Sequence, residues 1–393
     1  MLVDHAIWWH VYALGAVGAP VHQPDTPGQH HRLRALVDWL DYAIELGCSG
    51  LLLAPVFTSV SHGYDTLDHF SIDPRLGDDA DFDHLMDEAG RRGMAVMLDG
   101  VFNHVAREHP QAAVLGAARS WEGHESLTEL DHANPAVADL VVDVMLHWLR
   151  RGIAGWRLDV AYAVPAEFWR AVLPRVRAEF PDALFLGEVI HGDYDEILAD
   201  TALDTLTQYE LWKAIWSSLK DTNLWELAWA LERHDTFSST HVLQTFVGNH
   251  DVDRIASVVG DDGAAIAAGL LLTLPGMPSI YYGDEQGFRG TKAAGFTADD
   301  PMRPPLPDGG PGALLPIGAW LYRWHQDLIG LRRRHAWLTR AHVVVLDKTN
   351  ETMHYACTGG AGERLDVEVV LAPAPSFRAQ VEGGETLEWS PGR

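Results

Sequence analysis

The chain has 393 residues, of which 47% are hydrophobic and 21% charged, which excludes a disordered or fibrous protein. Its formal charge is −26. So acidic a chain is a poor match for nucleic acid or an anionic membrane, because phosphate contact needs clustered Lys and Arg, and it suits a neutral ligand.

Short apolar β-type runs alternate with amphipathic helical stretches from the start. Strands are predicted at Ala6–Ala13, Gly50–Ala54, Ala95–Leu98, Ala154–Leu158, Ala183–Leu186, Leu203–Leu206, Val242–Val247 and Ser279–Tyr282. Between them the periodicity predicts helices over His31–Leu46, Phe82–Arg92, Pro135–Arg150, Pro165–Phe180, Glu210–Leu219, Trp225–Arg233, Ala264–Leu274 and Ile317–Arg334. Thr291–Leu315, rich in Gly, Pro and Asp, reads as a long loop. Eight strand–helix units fit an eight-fold α/β barrel better than an open doubly wound sheet. From Ala341 the pattern changes to short β-runs split by Gly-rich turns. The expected architecture is a (β/α)8 TIM barrel over 1–338, with a short insertion at 105–134, and a small antiparallel β-sandwich over 339–393.

Cys48 and Cys357 lie far apart and outside any metal-like spacing. Met1-Leu2-Val3-Asp4-His5 lacks a basic segment followed by an apolar one, and apolar runs are of strand length or interrupted. The expectation is a cytoplasmic enzyme, monomeric or weakly oligomeric, without nucleic-acid or membrane partners. Fifteen Trp exceed the usual need of a core, and Trp faces also stack on sugar rings.

Ionisable residues cluster where predicted strands end, the face on which such barrels carry their chemistry. Strand three runs into Asp99-Gly100-Val101-Phe102-Asn103-His104 and strand four into Gly155-Trp156-Arg157-Leu158-Asp159. Strand five runs into Gly187-Glu188-Val189 and strand seven into Gly248-Asn249-His250-Asp251. A charge at the top of a buried strand is costly unless paired or useful. Paired carboxylates are the apparatus of glycoside hydrolysis, one ionised as nucleophile and one protonated as acid. Arg157, two residues before Asp159 on a strand, shares its face and is expected to keep Asp159 ionised. Glu188 has no basic neighbour in sequence, so apolar surroundings are expected to raise its pKa.

These four clusters, in this order, resemble the signature regions of the α-amylase family, glycoside hydrolase family 13. D-x-V-x-N-H is matched by Asp99, Val101, Asn103 and His104, and G-[FW]-R-x-D by Gly155, Trp156, Arg157 and Asp159. The catalytic Glu is matched at Glu188 and N-H-D at Asn249, His250 and Asp251. His62-Gly63-Tyr64-Asp65 and the segment Pro275–Glu285 also fit. The details look most like the neopullulanase and cyclomaltodextrinase group, with a shortened insertion and no N-terminal domain. The resemblance implies Asp159 as nucleophile, Glu188 as general acid/base and Asp251 as transition-state stabiliser. It implies that Arg157 fixes Asp159, that His104 and His250 bind sugar hydroxyls, and that Tyr64 stacks under the sugar, beside Asp65. Asp299 or Asp300, with Arg303, would bind the same sugar; Asp300 is the expected partner. Asn103 resembles a calcium ligand, although the short insertion offers few partners, and the chemistry itself calls for no cofactor.

The implied activity is retaining cleavage of α-1,4 bonds in maltooligosaccharides, starch-type glucans or cyclodextrins through a covalent glycosyl-enzyme. A glucanotransferase or disaccharide isomerase would use the same triad. A sugar-binding barrel without activity would lack a carboxylate, and a metal-dependent hydrolase would want H-x-H near strand one, where His10 stands between Trp8 and Tyr12. The short insertion predicts an open cleft, unless Trp121 and residues 122–127, or the loop at 291–315, fold over it.

Overall fold

The computed structural model describes residues 2–22, 30–295 and 297–392. Met1 of the N-terminal segment and Phe296 of the predicted long loop lie outside them. Eight parallel strands follow one another around a barrel: β1 (Trp8–Val11), β2 (Gly50–Leu53), β3 (Ala95–Gly100), β4 (Gly155–Leu158), β5 (Leu184–Gly187), β6 (Thr205–Leu206), β7 (Gln244–Phe246) and β8 (Met277–Tyr281). β1 pairs with both β2 and β8, and a single parallel bridge, Thr207 to Gln244, joins the β6 and β7 ends. Every predicted strand is present, most shortened at their ends or shifted by a few residues, and the one predicted at Ala95–Leu98 runs on to Gly100.

Alternation along the strands gives the barrel an apolar floor and an ionised ceiling. Trp8, Leu52, Met97, Leu184, Leu186 and Met277 pack together below. One pleat higher, Trp8 gives way to His10, Met97 to Asp99 and Gly155 to Arg157. Trp8 is large enough that any side chain at Gly50 would collide with its ring.

The helices form the outer ring: α1 (Leu40–Leu46), α2 (Asp79–Arg91), α3 (Pro135–Arg150), α4 (Ala166–Arg177), α5 (Tyr194–Thr201), α6 (Tyr209–Asp221), α7 (Trp225–Ser238), α8 (Ile255–Thr273) and α9 (Ala319–Arg334). The predicted helix at His31–Leu46 begins as a 3₁₀ segment, Arg32–Trp39, and becomes α-helical only at Leu40. α5 was not predicted. It starts at Asp193, whose side chain accepts from the Glu196 N–H as a cap. α8 is long and apolar enough to cross a membrane, yet most of it is buried, which is how a helix apolar all round behaves in a packed core. It bends at Gly260 (φ 74°).

The predicted β-sandwich is one antiparallel sheet of five strands: β9 (His342–Lys348), β10 (Thr352–Thr358), β11 (Arg364–Val370), β12 (Ser376–Val381) and β13 (Thr386–Trp389). Its second layer is helical. Phe377 packs on Trp324 of α9 and fills the space over Gly269 of α8, and the Tyr355 hydroxyl meets Thr273 Oγ1 at 2.6 Å. The apolar residues of the tail alternate on one face, and α8 supplies the apolar surface that a second sheet would have offered. Cys48 and Cys357 are buried and unpaired.

The insertion after β3 is a three-stranded antiparallel sheet of His104–Ala106, Gly116–Trp121 and His124–Leu130. Its tight turn, Glu122-Gly123, has two positive φ angles, as a two-residue hairpin of type I′ requires. A second hairpin, Phe57–Ser59 with Thr66–Ile72, carries the loop that holds Tyr64. Arg75, buried and paired with Asp73 at 2.6 Å, donates to Ser59 Oγ and to the Ser61 carbonyl and pins that loop.

Behind β8, Glu285 is fully buried and accepts from the Tyr42 hydroxyl (2.8 Å) and the Gly283 N–H (2.9 Å). Burial pushes its pKa from 4.5 up to about 7. Folded chains hold this proton to higher pH than unfolded ones. The stability it contributes is therefore full below pH 4.5 and gone once pH has risen through about 7. Urea unfolding of Glu285→Gln and wild type checks this: the variant should gain relative stability between about pH 5 and about pH 8, and a pH-independent difference contradicts it.

Candidate active site

Four strand ends deliver the site. Asp99 ends β3, Arg157 and Asp159 end β4, Glu188 follows β5, and Asn249-His250-Asp251 follows β7. One guanidinium organises three carboxylates. Arg157 Nη1 lies 2.5 Å from Asp99 Oδ2 and 3.3 Å from Asp159 Oδ1, and Nη2 lies 2.6 Å from Glu188 Oε1. All four residues are buried.

This corrects the expected assignment. Arg157 makes its shorter contacts with Asp99 and Glu188, not with Asp159. Burial first, then the charges of Glu188 and Asp99, push the Asp159 carboxyl well above the usual carboxylate range despite Arg157. Burial likewise raises Asp99. Glu188, expected among apolar groups, also accepts the Tyr209 hydroxyl at 3.1 Å and the Val160 N–H at 3.0 Å. Asp99 and Asp159, buried on one shared cation, are therefore both pushed toward the protonated form.

Asp251 has the opposite environment. Its carboxylate touches His250 Nε2 and Arg303 Nη2, each at 3.0 Å, and is 39% exposed to the cleft. Burial would raise its pKa, but His250, Arg303 and Arg157 outweigh that and hold it far below the usual range.

Tyr64 is in place. Its hydroxyl donates to Asp99 at 2.9 Å and lies 2.5 Å from His250 Nε2, and its ring stacks on His250 at 5.1 Å. His104 is close by but fully engaged, with Nε2 on the Tyr64 carbonyl (3.0 Å) and Nδ1 on Asn103 Nδ2 (3.2 Å). It shapes the pocket instead of offering a free N–H, and burial lowers its pKa to about 4. Asp65 is turned into its own loop, accepting from the Ser61 N–H and hydroxyl, so it holds the loop of Tyr64. Asp300 faces away from Arg303, 2.9 Å from His22. Asp299, four residues before Arg303, takes the expected place at 3.2 Å. The register was decided by the short 3₁₀ turn Asp300–Met302, which brings position 299 back over 303.

Other members were not singled out from sequence. Asp99 was read only as part of a motif, yet it is the closest partner of Arg157. Tyr209, held by Asn249 Nδ2 at 2.8 Å, follows the weakest predicted strand. Tyr12, at the end of β1, lies under the Arg303 guanidinium at 4.5 Å. Trp121 stacks on His104 at 5.8 Å, so the insertion hairpin walls the cleft on the β3 side. The contact is of the kind the alternative to an open cleft requires, with an indole of the short insertion against His104.

Asn103 is the residue that resembles a calcium ligand. Its Oδ1 is buried and unpartnered, one oxygen where calcium takes about six to eight. Glu129, opposite His104 in the hairpin, is taken by Arg119. The cluster His31, Asp78 and Asp81 lies elsewhere, at the start of α2, where Asp81 already pairs with Arg34 and closes the helix cap.

Asp159→Asn removes one of three crowded carboxylates and should raise stability by about 1–2 kcal/mol at neutral pH, whereas Arg157→Met should cost about 3–5 kcal/mol. Thermal melts of both variants check the pair, and a destabilised Asp159→Asn contradicts the charge count.

Comparison with known proteins agrees with this geometry. The profile of the alpha amylase catalytic domain matches residues 25–115 and 121–305. Neopullulanase 2 of Thermoactinomyces vulgaris is 31% identical over 79% of this chain and 57% of its own length. A cyclomaltodextrinase of Geobacillus thermopakistaniensis is 32% identical over 84% of this chain and 60% of its own. The chain thus spans three-fifths or less of these curated relatives. A solved structure of a cyclic α-maltosyl-(1→6)-maltose hydrolase from Arthrobacter globiformis shares the fold with TM-score 0.83 at 24% identity, covering 99% of this chain and 97% of that one. With the barrel, the strand-end carboxylates and the profile in agreement, the chain belongs to the alpha-amylase family.

Proposed function

We propose that this chain is a retaining α-glycoside hydrolase that cleaves α-1,4-glucosidic bonds of maltooligosaccharides, starch-type glucans or cyclodextrins. One observation carries the reading: Asp159 and Glu188 sit on adjacent nitrogens of a single guanidinium. That arrangement supports the close spacing, about 5–5.5 Å, of a nucleophile and an acid that attack and protonate the same bond, and leaves little room for an intervening water. The names of the relatives support the substrate class.

In this mechanism the proton that burial favours on Asp159 in the empty site moves as the sugar arrives. A substrate ring over Asp159 brings developing positive charge at its anomeric carbon, which favours the ionised form of Asp159. The proton then belongs on Glu188, which delivers it to the leaving oxygen while Asp159 forms the glycosyl-enzyme. Glu188 next takes a proton from water, which releases the sugar with retained configuration. Asp251, kept ionised by His250 and Arg303, faces the oxocarbenium-like transition state.

NMR of the first product from maltotriose should show the α-anomer; a β-anomer sinks the mechanism. Asp159→Asn should lose about 10⁴-fold or more in kcat. Glu188→Gln should lose about 10²–10⁴-fold on maltotriose and much less on an aryl glucoside, whose leaving group needs little protonation. Equal losses on both substrates remove Glu188 from the acid role.

The chemistry proposed here runs on side chains alone. Turnover should persist after dialysis against EDTA, and loss of activity restored by calcium would contradict that.

A further inference from the structure

Two tryptophans lie open on the outer face of α7: Trp225 is 52% exposed and Trp229 55%. Spaced four residues apart, they are neighbours on one helix face, about 5–6 Å between Cβ atoms. Both rings are held. The Trp225 indole N–H donates to Asn350 Oδ1 at 2.9 Å, and the Lys348 ammonium sits 5.3 Å from its centroid. The Arg233 guanidinium sits 5.1 Å from the Trp229 centroid and is itself fixed by Glu210 at 2.6 Å. A cation occupies one side of each ring, and more than half of each residue still meets solvent.

Trp229, one helical turn beyond Trp225, lines a groove whose other wall includes Tyr209. The groove encloses about 290 Å³ and is lined by Ile190, His191, Tyr209, Trp212, Lys213 and Trp229. Tyr209 at its inner end is the residue that donates to Glu188. Ile190, which follows Glu188 by two residues, is exposed on its wall. The ion pair Lys213–Glu226 borders the groove with groups able to bind hydroxyls.

We propose that Trp225 and Trp229 form a second sugar-binding platform, outside the catalytic site, that holds the far part of a long α-glucan whose near part occupies the groove beside Glu188. The proposal rests on the reading of the chain as an α-glucan hydrolase. Indoles with a pinned edge present flat apolar surface at little entropic loss, and the charged fringe supplies hydrogen bonds to a neutral polyol. Continuity with Tyr209 favours a glucan over a protein partner on this face.

The test uses the full chain carrying Asp159→Asn, so that the polymer survives, with and without Trp225→Ala and Trp229→Ala together. Electrophoresis through gels containing amylopectin should show the parent retarded and the double Trp variant bound about tenfold more weakly. Trp229→Tyr should restore part of the retardation. With Asp159 intact, the double Trp variant should keep its kcat/KM on maltotriose and lose efficiency on amylopectin alone. Equal retardation of both chains, or no retardation of the parent, overturns the platform. A change in sedimenting mass with unaltered retardation also overturns it, and assigns the face to contact between two copies. If the wild type cleaves neither maltotriose nor amylopectin, the proposed activity fails, whatever the gels show.

Discussion

Three buried carboxylates share one guanidinium at the top of the barrel, and much of the molecule follows from that crowding. Among the described residues, Arg157 is the only cation that touches Asp99, Asp159 and Glu188 together. A buried pair is a weak source of stability because desolvation offsets Coulomb attraction. Desolvating two further carboxyl groups beside that pair adds to the cost. The apolar floor of Trp8, Leu52 and Met97 and the close-packed helical ring provide the stability that tolerates it. Active sites are where such local strain is expected.

Around this cluster the loops are fixed by a second set of buried arginines. Arg75 pins the loop of Tyr64 through Asp73 and the Ser61 carbonyl. Arg254 pairs with Asp284 at 2.9 Å and donates to the Met302 carbonyl at 3.0 Å, one residue before Arg303. It thereby sets the position from which Arg303 reaches Asp251. Each arginine uses its planar fork to join segments distant in sequence, which a point-charge lysine does poorly. The site is thus built on loops, but on loops tied to rigid strands, as precise chemistry requires.

What was legible in the sequence was whatever depends on single positions at strand ends. Asp159, Glu188 and Asp251 follow apolar runs, and a carboxylate there has few structural explanations. Pairwise geometry was less legible. Arg157 shares a face with Asp159 by the two-residue pleat, and that rule is correct, but it says nothing of Asp99 and Glu188 on neighbouring strands, which approach closer. Asp300 lost to Asp299 because a 3₁₀ turn set the register, and neighbouring acids in a Pro-containing loop do not reveal it. His104 looked like a free ligand because the carbonyl of Tyr64, which occupies its Nε2, lies forty residues away in the chain. The length of the insertion is plain in the sequence, whereas the hairpin that its Glu122-Gly123 turn makes is not.

The same arithmetic explains the surface. The chain carries 29 Lys and Arg against 55 Asp and Glu. Several of those cations, Arg75, Arg157, Arg254, Arg303 and Arg332, are buried at loop junctions or in the site. Nine acidic residues are buried as well, Asp99, Asp159 and Glu188 among them, so the solvent-facing surface keeps about the acidic excess of the composition. Such a surface repels phosphorylated sugars and polyanions over a Debye length and leaves neutral polyols unaffected. Within the cleft the uncompensated carboxylates extend that field to the reacting bond. A ligand that is neutral on arrival and positive only in the transition state is the one such a field selects, because attraction then grows as the barrier is climbed.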